Sequence, residues 1–256
     1  MIILHITNCL RGGGIQNFIL SLLPEQASMG HKVFLVVIEK YDYEYCFHLE
    51  RILSNNNVTV IRLNKSRSNK ISLIKTIIKC RNLIKSINPD IVGWIQIPGT
   101  VIDYPVCWRA NDNEYYMKHS AEGERRAFGA IMLDGANSSA AEEHLVVLYG
   151  HHMRNGTMFK DIVRYTDADF LNDHKSISLF FPDREERYSV IGTIVCSAKN
   201  FEPSQMVEEE LLFKEWCRNS WKGLPEEEIQ KKMLALVTCS YGSRDERTIC
   251  FAVAEN

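Results

Sequence analysis

The periodicity of this chain changes at Pro89, and no single fold class accommodates both sides of the change. Before Pro89, strand and helix patterns alternate. Ile2–Ile6 is a short apolar run ended by Arg11-Gly12-Gly13-Gly14. Ile15, Phe18, Ile19, Leu22 and Leu23 then recur at helical spacing up to Met29-Gly30, a C-terminal stop. Val33–Ile38 is continuously apolar, as expected of a buried parallel strand. Tyr43–Leu53 fits a helix, Val58–Leu63 a third strand and Ile71–Ile87 a basic helix. Such βαβαβα order is the signature of a parallel sheet.

After Pro89 helical periodicity largely vanishes. Ile91–Ile97, Ala130–Leu133, His144–Tyr149, Ser176–Phe181, Tyr188–Ala198, Leu234–Thr238 and Thr248–Val253 read as strands. Turn clusters such as Pro98-Gly99, Asn111-Asp112-Asn113 and Asn155-Gly156 separate them. Regular short strands with turns point to a closed or nearly closed β-barrel. One helix interrupts it, with Ser204 as N-cap, Asn219 as its end and Glu208–Glu210 in its first turns. The expected fold is α+β overall, a truncated α/β half-domain over 1–88 followed by a barrel with a flanking helix over 89–256.

Bulk charge excludes some partners. The net charge of −2 gives no reason to expect nucleic acid. Lys and Arg do cluster between Arg62 and Lys85, a stretch without an acid, which reads as a solvated helix face or an anion-facing surface. The eight cysteines lie in apolar segments without C-x-x-C or zinc spacing. They read as buried free thiols, a pattern of reducing compartments, and no metal or cofactor is expected. The chain has no apolar run of membrane-spanning length, and Met1–Ile6 is too short for a signal-peptide core.

Two later stretches carry chemistry. Leu148-Tyr149-Gly150-His151-His152-Met153 places a histidine just past an apolar strand, and Leu236-Val237-Thr238-Cys239-Ser240-Tyr241 places a cysteine at the end of another. Arg247 follows eight residues after Cys239. Cysteine supplies a nucleophile, histidine moves a proton, and arginine holds negative charge on a carbonyl oxygen. Singly, each is more often a core thiol, a turn histidine or a surface-paired arginine.

Six blocks in order resolve that ambiguity. They are Asn88–Ile95, Ile97–Val106, Asn113-Glu114-Tyr115-Tyr116, Gly129–Asp134 and the two stretches above. Together they resemble the class B sortases, cysteine transpeptidases that attach proteins to Gram-positive cell walls. The resemblance implies that Cys239 is the nucleophile, His151 and not His152 the catalytic histidine, and Arg247 the family's arginine, with Arg244 as its rival. It implies an Asn-Pro-x-Thr-x sorting-signal peptide and a peptidoglycan precursor amine as partners. It also implies a place on the outer face of the cell membrane; without an anchor in this chain, the cytoplasm is the alternative. Substrate-binding residues are left unassigned. The other seven cysteines, with His119, His144, His152 and His174, keep structural roles. Glu208–Glu210 is a solvated helix start rather than a metal site. Ala235 replaces a threonine of the family pattern, and strand alternation is expected to turn it away from Cys239 if the strand is regular.

Residues 1–92 resemble part of the N-terminal domain of a family-4 GT-B glycosyltransferase. Leu4-His5-Ile6, Gly12-Gly13-Gly14, the helix ending at Gly30-His31-Lys32-Val33, and Asn88-Pro89-Asp90-Ile91-Val92 carry that likeness. It implies a glycine loop able to cradle phosphate or sugar oxygens. The nucleotide-sugar domain of that family is missing, so sugar transfer is not expected. Asn88–Val92 is claimed by both resemblances, and Trp94 and the blocks after it assign it to the barrel. The sheet is then expected to stop at three strands, as at a fusion or gene-assembly join. The alternatives to an active transpeptidase are a peptide-binding barrel without catalysis and a glycan- or nucleotide-sugar-binding N-terminal segment.

Overall fold

The computed structural model describes residues 2–7, 10, 14–39, 44–65, 88–239 and 245–255. They fall in two compact units, Met1–Ser86 and Ile87–Asn256.

The first unit runs β1 (Ile2–Thr7), α1 (Gly14–Ser28), β2 (Lys32–Glu39), α2 (Glu44–Asn55) and β3 (Val58–Lys65). The strands are parallel and ordered β1-β2-β3. Val33, Leu35 and Val37 share one face of β2 and are buried with Leu23, Leu49 and Leu53. Helix α1 ends where expected, because Gly30 takes φ +83°, a left-handed value that a side chain disfavours. Of the basic stretch, Arg62 pairs with Glu50 at 3.1 Å and lies over the Phe47 ring. The glycines at 12 and 13 and the basic helix expected over 71–87 lie outside the described residues.

The second unit is a closed eight-stranded barrel. Its strands are β4 (Ile91–Gln96), β5 (Asp103–Cys107), β6 (Ile131–Leu133), β7 (Leu145–Tyr149), β8 (Ser176–Phe180), β9 (Glu185–Ser197), β10 (Met233–Cys239) and β11 (Glu246–Ala254). Around the barrel the order is β10-β11-β9-β8-β4-β5-β6-β7, closing from β7 back to β10. The contested strand, β4, pairs with β5 and β8, so it belongs to the barrel, and among the described residues the parallel sheet has three strands. Strand β5 did not stand out in the sequence. Pro105 lies inside it, and an internal proline, lacking an N–H, argues against a strand.

Strands β10 and β11 are apolar on both faces for a physical reason. Leu234, Leu236, Cys250 and Ala252 point into the barrel core. Met233, Ala235, Val237, Ile249, Phe251 and Val253 face a second core outside it. That outer core is roofed by α4 (Pro203–Glu208) and α5 (Glu210–Ser220), whose Met206, Val207, Phe213 and Cys217 are buried there. The unit also holds the short helices α3 (Ala168–Asp173) and α6 (Glu226–Ile229).

Three local expectations change. The single helix over 204–219 is two, broken at Glu209, whose φ −119° and ψ 87° are not helical. Ser204 is not its N-cap. Pro203 occupies the first turn, where its missing N–H costs nothing, and the Ser204 hydroxyl is committed elsewhere. Ala235 also faces the same side as Cys239, not away from it. Four residues are two full pleats, which restores the face, and Ala235 is buried under the helices.

Candidate active site

Strand register explains how distant residues meet. In β7 and β10, Leu145 to Tyr149 run parallel to Met233 to Val237 without a shift. Counting on in the same register puts Gly150 beside Thr238 and His151 beside Cys239. Two bonds hold that continuation: Gly150 N–H donates to Val237 O (3.2 Å), and Thr238 Oγ1 donates to Gly150 O (2.8 Å). On the other side, Cys239 is the antiparallel partner of Arg247. Neighbouring strands lie about 4.8 Å apart, so the three residues form a row across one end of the barrel.

All three line one cleft of about 250 Å3, together with Tyr149, Asn113 and Met117. Cys239, His151 and Arg247 are each half-buried. His151 Nε2 donates to the Met117 carbonyl at 2.8 Å, which fixes the ring. His152 is turned to a different task, with Nδ1 donating to the Cys239 carbonyl at 3.1 Å. Arg247 Nη1 donates to the Glu246 carbonyl at 3.0 Å. Arg244 lies outside the described residues.

The site depends on a residue without a side chain. A Cβ on Gly150 would stand 2.6 Å from both Ile131 Cδ1 and Phe159 Cγ. Both side chains are buried, so neither has open space to retreat into. Gly150→Ala is expected to cost about 1–3 kcal/mol by overpacking, measured as a lowered urea midpoint. A variant as stable as wild type would show that Phe159 yields freely.

Among the other described cysteines, Cys46, Cys107, Cys217 and Cys250 are buried. Burial pushes the Cys107, Cys217 and Cys250 thiols up to about 12, which keeps them protonated and inert at neutral pH. Cys196 is next to Arg247 across β11 and β9; burial raises its thiol, partly countered by the Arg247 charge. His119, His144 and His174 each bond a backbone carbonyl, of Tyr115, Ile229 and Phe170 respectively. Glu208, Glu209 and Glu210 are exposed, and Glu210 pairs with Lys214 at 2.6 Å. Among the described residues no cluster of His, Cys, Asp or Glu has the geometry to hold a metal.

Sequence reasoning assigned no role to Asp134, one of several buried polar residues. Asp134 is fully buried directly after β6, and Asn113, Tyr149 and Ser204 all bond to it. Its legible signals were an acid closing the apolar run Ala130–Leu133 and its place at the end of the block Gly129–Asp134.

The Sortase domain family matches residues 95–255, and the chain belongs to the sortase family. Its relatives are sortases of class B. Sortase B of Listeria monocytogenes is 38% identical over 95 residues, 37% of this chain and 38% of that protein. Sortase B of Staphylococcus aureus is 36% identical over 107 residues, 42% of this chain and 43% of that protein. The chain thus spans less than half the length of these two relatives in the aligned segments. Among solved structures, Clostridium perfringens sortase B is 25% identical with a TM-score of 0.59, covering 69% of this chain and 100% of that one. A Staphylococcus aureus sortase B–substrate complex is 28% identical with a TM-score of 0.55, covering 68% of this chain and 84% of that one. The closed barrel is therefore the fold expected from the sequence, with two flanking helices where one was expected. Among the described residues, no helix is long and apolar enough to cross a membrane.

Proposed function

We propose that residues 89–256 are a class B cysteine transpeptidase acting on a sorting-signal peptide of Asn-Pro-x-Thr-x type. The observation that carries this is the row His151, Cys239 and Arg247 along one cleft. The Cys239 thiolate attacks the Thr carbonyl carbon, and the C=O electron pair moves to oxygen. Arg247 and a backbone N–H hold that oxyanion. As the C–N bond breaks, His151 as imidazolium gives its proton to the departing amine. The Met117 carbonyl already engages Nε2, which leaves Nδ1 for the proton. An amine, for which a peptidoglycan precursor is the family's acceptor, then attacks the thioacyl carbon; the C–S bond breaks to regenerate the thiolate, and the amine's surplus proton returns to His151. Water in place of the amine gives hydrolysis.

The cleft volume of about 250 Å3 is below the common range for ligand pockets, about 300–1,000 Å3. It fits the residues flanking the scissile bond, with the rest of the peptide lying on the open surface. Solved relatives include a sortase B–substrate complex and a sortase B complexed with triglycine, which supports peptide and amine as the two substrate classes. In this reading residues 1–88 take no part in the chemistry.

Arg247 gives the test of the oxyanion assignment. Arg247→Ala is expected to lower kcat by roughly a hundredfold to a thousandfold, about 2.7–4 kcal/mol of transition-state stabilisation. A kcat within a few-fold of wild type would assign the oxyanion to other donors.

A further inference from the structure

Asp134 joins three parts of the barrel that are far apart in sequence. Its carboxyl group is fully buried and accepts from four neutral donors. Ala136 N–H donates to Oδ1 at 2.8 Å. Tyr149 OH donates to Oδ2 at 2.6 Å and Asn113 Nδ2 to Oδ2 at 3.1 Å. Ser204 Oγ, in the first turn of α4, lies 2.9 Å from Oδ2 and 3.1 Å from Oδ1. A buried carboxyl group is tolerated only while such partners point at it, so the acid and its donors lock one another.

Two of those donors, Asn113 and Tyr149, line the cleft beside Cys239. Asn113 is held at both ends of its amide, because its Oδ1 also accepts from Gly135 N–H at 2.7 Å. The backbone of its loop lies directly on residue 135. A Cβ there would meet the Asn111 and Asp112 nitrogens at 2.8 Å, so only glycine lets the loop come so near. Burial, together with the Asp134 charge, raises the Tyr149 hydroxyl, which stays protonated and keeps donating.

We propose that Asp134 is a positioning residue for the peptide cleft: it holds Asn113 and Tyr149 in the wall that receives the peptide and ties that wall to α4 through Ser204. The peptide half of this inference rests on the transpeptidase reading above; the geometric half rests on the hydrogen bonds alone. Neither Asp134 nor Ser204 touches the reacting atoms, so their loss acts on binding more than on bond making.

The test uses the full chain. Asp134→Asn keeps the side-chain size and turns an acceptor into a donor facing other donors. KM for an Asn-Pro-x-Thr-x peptide is expected to rise about tenfold while kcat changes by less than about threefold. Ser204→Ala moves KM in the same direction by a smaller factor, and it decides the matter if Asp134→Asn fails to fold. Hydrogen exchange at residues 111–113 and 204–208 is expected to quicken in both variants while β10 and β11 keep their protection. An unchanged KM in an active enzyme, or a fall confined to kcat, overturns the inference. So does exchange that quickens equally in β10 and β11, which would make Asp134 a general core support. If wild type never acylates on Cys239, the transpeptidase reading fails by itself. Exchange then still decides the geometry, because unchanged rates at 111–113 and 204–208 overturn the positioning role.

Discussion

Cys239→Ala is expected to abolish cleavage of an Asn-Pro-x-Thr-x peptide, with a loss on the order of 10^6 in rate, the scale seen when a covalent nucleophile is removed. No other described cysteine replaces it. Cys46, Cys107, Cys217 and Cys250 are buried, and Cys196 is set off from the row by Arg247. The substitution is small and Cys239 is half-buried at a strand end, so the barrel is expected to fold unchanged. Near-UV circular dichroism and the urea midpoint check that folding, and peptide cleavage followed by chromatography reads the loss. Cleavage that survives Cys239→Ala would remove the nucleophile from the account.

His151→Ala has the next largest effect. Without the imidazolium the departing amine leaves unprotonated, and the expected loss is about 10²–10⁴-fold. The variant also frees the Met117 carbonyl, which stands at the cleft rim and can turn to water, so stability changes little. The neighbouring histidine is not a substitute, because its Nδ1 is engaged by the Cys239 carbonyl. A primary amine leaving group of low basicity needs less protonation, so peptides with an activated leaving group should recover part of the lost rate. Equal losses for activated and ordinary peptides would point to a role for His151 other than proton donation.

Much of this site is legible in the sequence because its three residues sit at the ends of apolar strands. Gly150 and His151 directly follow β7 and Thr238-Cys239 end β10, and continuing one constant register brings them level. Arg247 is close in sequence to Cys239 because a hairpin returns it as the strand partner. What stayed illegible depends on long-range packing. Strand β5 was hidden by Pro105, which the barrel tolerates between β4 and β6. The break at Glu209 divides a helix whose composition shows no glycine or proline at that point. Asp134 collects donors from residues 113, 149 and 204, a convergence that only the folded barrel creates.

The N-terminal unit shows the opposite limit. Its alternation of strand and helix is plain in sequence, and the three parallel strands form. The glycine loop, on which a glycan- or nucleotide-sugar-binding role depends, lies mostly outside the described residues. The described residues that line the barrel cleft all fall between 113 and 247.

The most direct measurement is the mass of the protein itself after mixing with an Asn-Pro-x-Thr-x peptide in the absence of an amine acceptor. The expected spectrum shows a hydroxylamine-sensitive adduct equal to the peptide through its Thr residue, mapped by digestion to Cys239. The same adduct is expected on residues 88–256 alone, a cut that keeps Asn88 bonded to Tyr116. No adduct on a folded wild-type protein that binds the peptide, or an adduct mapped to any other residue, would contradict thioacyl chemistry at this site.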